Sequence, residues 1–274
     1  MELFLVFLIL IGIVIASIQD LRKKEVENWI NFFILISSLA FIVFRAIHSL
    51  DIDYLFLGLF CLYVCVILGQ LFYSGKVFAG GDAKLFMALF ALFIASDING
   101  CLYNLLLFCL FLMFSGAVYG LMCILFLYVR DFSKVNKHFK IEIKNKYLKY
   151  TFLLGVLLLI FSFFNELFLY LSFFIMLACI LFAFSRSIEK VSMVKEIKAS
   201  ELREGDWLAQ AVKVKGKVIS YNWEGLTLKQ IKLLKNLKSK IKIKEGIAFV
   251  PAFLIAFIIY IFKERIIQFI LVLL

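Results

Sequence analysis

Two aspartates stand where apolar runs meet charge. Asp20 follows the uninterrupted apolar run 3–18 and precedes Leu21-Arg22-Lys23-Lys24; Asp82 follows Gly80 and Gly81 and opens, through Ala83 and Lys84, into the run 85–95. Two carboxylates brought together cannot both ionise easily, so one keeps a proton while the other activates water, which is the acid and base pair of aspartic proteolysis. At the mouth of a membrane-spanning helix an ionisable group is costly unless it pairs or meets water, which makes each acid a functional candidate. The paired glycines permit close backbone approach and dihedrals closed to other residues. A helix beginning there would favour a negative charge near its N-terminus. Bland roles compete with the chemistry: Asp82 can cap its own helix, and Asp20 can pair with Arg22 or Lys23. Lys84, about half a helical turn beyond Asp82, either tunes that carboxyl or extends its ammonium to the interface.

The elements that must carry these acids are membrane helices. Of 274 residues, 64% are hydrophobic and one is proline, and the mean hydropathy is +1.02. Soluble domains stay at roughly 45 to 50% apolar, so the composition implies a polytopic membrane protein. The net charge of +11 then belongs to loops, where it reports orientation first; anionic membrane lipid is the expected contact of the basic blocks and no nucleic acid is expected. Cys61, Cys65, Cys101, Cys109, Cys123 and Cys179 lie nearly all inside apolar runs without a Cys-x-x-Cys pair, and read as reduced structural thiols. His48 lies on the outer side and His138 in a basic stretch, so no metal or other cofactor is expected.

In chain order, apolar runs at 3–18, 29–47, 54–72, 85–95 and 102–129 predict five spans. The opening Met1-Glu2 lacks the basic start of a signal peptide. A basic, polar stretch at 130–150 leads to an apolar run at 152–184 broken at Asn165-Glu166. A hairpin is the expected form, because one long helix would bury Glu166 at about 2.5 to 3.5 kcal/mol. Residues 186–245 are the stretch able to form a soluble module. It carries a β-hairpin around Gly216, capping-box spacing at Thr227 to Gln230 ahead of a helix through Leu237, and strand alternation at Ile241 to Lys244. The last span, 247–262, has Pro251 in its first turns. The predicted fold is an all-α polytopic bundle of about eight transmembrane helices with a small α+β cytoplasmic module before the last. Its segments are a catalytic membrane core at 1–130, a basic cytoplasmic loop at 131–150, a helical hairpin at 151–185, the module at 186–246 and the last helix at 247–274. Most of the 30 Lys and Arg fall in 130–150 and 186–245. The positive-inside rule then sets both acids at cytoplasmic helix ends.

Ala79-Gly80-Gly81-Asp82-Ala83-Lys84 resembles the Gly-x-Gly-Asp-x-Lys motif of the prepilin peptidase family, which includes the archaeal preflagellin peptidases. Asp20-Leu21-Arg22 followed by Val26-Glu27-Asn28 is similar to that family's first catalytic segment, and 245–251 to the last span of its archaeal members. The resemblance implies a membrane aspartic endopeptidase with Asp20 and Asp82 as the pair and Gly80, Gly81 and Lys84 in the supporting loop. It implies removal of the short basic leader of class III signal peptides from prepilin or preflagellin precursors. The bacterial branch's cysteine-rich insert and methylating activity are not expected here. One departure is Ala79 at the first motif glycine, which a positive φ would strain. Two alternatives remain open: a presenilin-like intramembrane protease, faintly suggested by Pro251-Ala252-Phe253, and a carrier or channel using Asp20 and Asp82 for cations or protons.

Overall fold

The computed structural model describes residues 3–214, 217–222, 225–235, 240–265 and 268. Its apolar runs form α1 (Leu3–Lys23), α2 (Asn28–Ser49), α3 (Ile52–Ser74), the short α4 (Gly80–Ala88) with a 3-10 turn at Phe90–Phe93, and α5 (Ile98–Arg130). After them come α6 (Phe132–Glu142), α7 (Lys146–Phe161) and α8 (Glu166–Ser192). The chain then runs through β1 (Val194–Lys198), β2 (Trp207–Leu208), β3 (Val212–Val214), β4 (Lys217–Ile219), α9 (Leu228–Leu234), β5 (Lys240–Lys244) and α10 (Val250–Ile261). Among the described helices α1, α2, α3, α5 and α8 are long and apolar enough to cross a membrane. Five spans are thus supported and eight are not confirmed, since α7, α10 and α4 have 16, 12 and 9 residues.

Residues 1–121 and 247–274 form one compact unit. At its centre lies α4, packed against α2 and α3. Leu85, Phe86 and every residue from Ala88 to Phe93 are at most 3% exposed. A segment apolar all round is a buried one, and here it is enclosed by protein and is not one continuous helix. The expectation of a single helix through 85–95 is corrected accordingly: α4 ends at Ala88 and the chain tightens into the 3-10 turn. Irregular backbone at this depth is tolerable only when protein satisfies it. The Tyr260 hydroxyl of α10 does so, donating to the Leu92 carbonyl at 3.0 Å. Gly69 lets α3 come close, because a Cβ there would lie 2.7 Å from Met87 Cε and 3.3 Å from the Ala83 carbonyl.

The second unit spans 122–246. The apolar stretch divides at Asn165, whose side chain accepts the Leu167 N–H at 2.9 Å and caps α8. Across the hairpin the Ser172 hydroxyl donates to the Gly155 carbonyl at 2.8 Å. The basic stretch read as a loop carries a helix, α6, laid along α8. Its buried Val135 and Glu142 face inward, with Glu142 paired to Lys190, while Lys134, Lys137 and Lys140 stay exposed. In the module β1, β5 and β2 form an antiparallel sheet in that order. Ile241 and Ile243 point inward and Lys240 and Lys242 outward, the period-2 pattern of a strand with one buried face. The capping box is present: the Thr227 N–H donates to Gln230 Oε1 at 2.9 Å and the Gln230 N–H to Thr227 Oγ1 at 3.4 Å. Strands β3 and β4 pair with Val212 opposite Ile219. The expected glycine turn at Gly216 and the expected helix end at Leu237 lie outside the described residues.

Candidate active site

Asp20 sits in the last turn of α1 on the stripe that also buries Ile9, Ile13, Ala16 and Ser17. Spacings of three and four residues put it on the core-facing side, and it is 5% exposed. Its partner is a backbone group: the Val250 N–H, in the first turn of α10, donates to Asp20 Oδ2 at 2.9 Å. The ion-pair reading of Asp20 is therefore replaced. Lys23 pairs with Glu27, Arg22 is exposed, and Glu27 also takes a hydrogen bond from Trp29 Nε1 at 2.7 Å.

Asp82 lies three residues into α4, whose N-cap is Ala79. The N-cap reading of Asp82 is thus corrected, and what remains of it is a long 3.4 Å hydrogen bond from the Ala79 N–H to Asp82 Oδ2. Ala79 has φ −70° and ψ 164°, and neither Gly80 nor Gly81 has a positive φ. Ala79 consequently strains nothing. Burial pushes the Asp82 carboxyl up to about 7; the nearby Asp20 charge adds to the rise and the Ala79 N–H opposes it. The expected help of the helix start in keeping Asp82 charged is outweighed. A dipole contributes about 0.3 to 1 kcal/mol, less than the roughly 1.4 kcal/mol of a single pKa unit.

The glycines serve close approach. A Cβ on Gly81 would lie 3.6 Å from Val26 Cβ and 3.7 Å from the Val26 nitrogen, and one on Gly80 would lie 3.7 Å from the Tyr73 ring. Two side chains of α2 grip the same turn. Asn31 Nδ2 donates to the Gly81 carbonyl at 3.4 Å, and Lys84 Nζ donates to Asn28 Oδ1 at 2.8 Å. Lys84 thus ties α4 to α2. Beneath the turn Phe78 packs its ring on Phe72, Phe86, Phe249 and Phe253 at centroid distances of 4.9 to 6.2 Å.

The two acids, the glycine turn and Lys84 all lie within the first unit, with Asp20 near enough for its charge to bear on the Asp82 carboxyl. One acid inclined to hold a proton near neutral pH beside a second that is anchored by an N–H has the parts of a general acid and base pair. No group of three His, Cys, Asp or Glu suited to a metal ion occurs among the described residues. Sequence reasoning missed Asn31 and the Val250 N–H. Asn31 could have been found as a polar residue three positions after Asn28, on the same helix face; the N–H could have been found from Pro251, which marks a helix start and its free donors.

Comparison with known proteins bears on these residues. Residues 6–121 match the model of the type IV leader peptidase family. This range contains both acids and the glycine turn. The chain is also similar to the preflagellin peptidase of Methanococcus maripaludis (strain C6 / ATCC BAA-1332), 36% identical over 82 residues. That stretch is 30% of this chain and 35% of the relative, so the similarity spans about a third of the relative's length.

Proposed function

We propose that this protein is a membrane aspartic endopeptidase that removes the short basic leader of prepilin or preflagellin-like precursors at the cytoplasmic membrane face. The observation that carries the reading is that the segment matching the type IV leader peptidase family holds both acids, Asp20 anchored by the Val250 N–H and Asp82 on the glycine turn. In the proposed reaction ionised Asp20, oriented by the Val250 N–H, takes a proton from water as the water oxygen attacks the scissile carbonyl carbon. Asp82 gives its proton to the carbonyl oxygen. The tetrahedral intermediate, a gem-diol, then collapses: the C–N bond breaks, the leaving amine takes up the proton held by Asp20, and one hydroxyl returns its proton to Asp82 as the new carboxyl group forms. Lys84 and Asn28 keep the turn under Asp82 in register with α2. No metal or other cofactor enters these steps.

The test is a cleavage assay in membranes with a precursor bearing a basic leader and an apolar helix, with the product N-terminus read by mass spectrometry. A single cut at the junction of the two segments is expected; an intact precursor, or a cut inside the apolar helix, would refute the assignment. Turnover should fall as pH rises through about 7, because the proton that Asp82 must donate is lost there. A rate still rising well above that pH would assign the proton elsewhere.

Orientation is tested separately. With the acids at the cytoplasmic face, cysteine labels at Lys137 and Lys213 should react only with a reagent on that side, and one at Asn165 only with a reagent outside. This pattern corresponds to the full count of about eight spans; cytoplasmic labelling of Asn165 would remove the hairpin α7–α8 from that count.

A further inference from the structure

Asn31 lies one turn beyond Asn28 on α2, with its side chain 5% exposed. Its two polar atoms are treated differently by the protein. Nδ2 donates to the Gly81 carbonyl at 3.4 Å, whereas Oδ1 is fully buried and has no partner among the described residues. The amide cannot simply be turned over. That would set Oδ1 against the Gly81 carbonyl oxygen, acceptor against acceptor, so the carbonyl fixes the nitrogen and leaves the oxygen aimed elsewhere. An apolar side chain of the same shape would avoid a buried acceptor without a donor. Ile30, Ile34 and Ile42 fill the same buried stripe of α2 with such residues; Ser38, two turns on, is its other buried polar side chain. Three neighbouring oxygens already have donors of their own: Asp20 Oδ2 the Val250 N–H, Asp82 Oδ2 the Ala79 N–H, and Asn28 Oδ1 the Lys84 ammonium. The residue that follows Asn31's anchor is Asp82.

We propose that Asn31 is a positioning residue of the acid pair, holding the Gly81 carbonyl through Nδ2 and accepting through Oδ1 a hydrogen bond from a donor that arrives with the reaction. That donor is a peptide N–H of the substrate or the attacking water. The inference rests on the reading of Asp20 and Asp82 as a peptidase site. In the first case Asn31 helps to lay the substrate backbone beside Asp82; in the second it orients the water that Asp20 deprotonates. Both uses explain why a polar amide stands where packing alone would select leucine.

The decisive variant is Asn31→Leu, which keeps the volume and removes both polar atoms. Its kcat/KM toward the precursor should drop about 10-fold or more, while its thermal unfolding midpoint stays level or rises because an unsatisfied acceptor has gone. A raised KM identifies the substrate N–H as the donor, and a lowered kcat at unchanged KM identifies the water. Parental kcat/KM, or a fall in activity matched by a fall in the unfolding midpoint, overturns the proposal and leaves Asn31 a packing residue. Asp20→Asn, run alongside, separates the two levels. If it is inactive while Asn31→Leu cleaves like the parent, only this inference fails; if Asp20→Asn cleaves like the parent, the peptidase reading fails and takes this inference with it.

Discussion

Replacing either Asp20 or Asp82 with asparagine should lower precursor cleavage by about 10²- to 10⁴-fold, the usual contribution of a positioned acid or base, while leaving the inserted protein intact. The structure explains why folding should survive. An asparagine at position 20 still offers an oxygen to the Val250 N–H, which reaches Asp20 Oδ2 at 2.9 Å, so the junction of α1 and α10 keeps its hydrogen bond. At position 82 the amide matches in size and charge the protonated carboxyl that burial favours. What each variant loses is proton chemistry. The neutral amide at 20 cannot accept the water proton, and the one at 82 cannot surrender its own to the carbonyl oxygen. The measurement is the initial rate of leader removal per amount of inserted protein. Parental activity in either variant would rule out the acid pair, whereas loss of the protein from the membrane would mean that the carboxylates hold the bundle together.

The second large effect belongs to Gly81. An added Cβ meets Val26 at 3.6 Å, ordinary contact, so Gly81→Ala should keep most of its activity and gain slightly in helix stability. Gly81→Val adds two further methyl groups with a nearly fixed χ1 in a helix, and overpacking of this kind costs about 1 to 3 kcal/mol. The strain falls on the residue before Asp82, whose carbonyl Asn31 holds. A displacement of about 1 Å can cost roughly 10²-fold in rate, and a loss of that order is expected for valine. Ala79→Gly is the contrasting control. With φ already at −70°, glycine relieves nothing there and should leave the rate unchanged or slightly lower. Comparing cleavage rates of the alanine and valine variants decides the matter: equal rates would make the turn a mere connector.

Much of the molecule was legible from local signals. Apolar runs without proline mark helices by composition and length alone, and α1, α2, α3, α5 and α8 lie on them. The capping box at Thr227 and Gln230 was readable because both of its hydrogen bonds close within one turn. The two acids were legible because charge at the end of an apolar run is rare and costly. Tertiary structure alone decided what surrounds them. Val250 reaches Asp20 across 230 residues, and Asn28 reaches Lys84 across 56; no local pattern announces a partner so distant. The burial of α4 was equally hidden, since lipid and protein interior are both apolar and select the same side chains. Its division at Ala88 depends on Tyr260 of α10 satisfying the Leu92 carbonyl. Asp82 carries the same lesson in its charge: the sequence placed it near a helix start, which favours the ionised form, and only the packed surroundings turn that preference toward the proton.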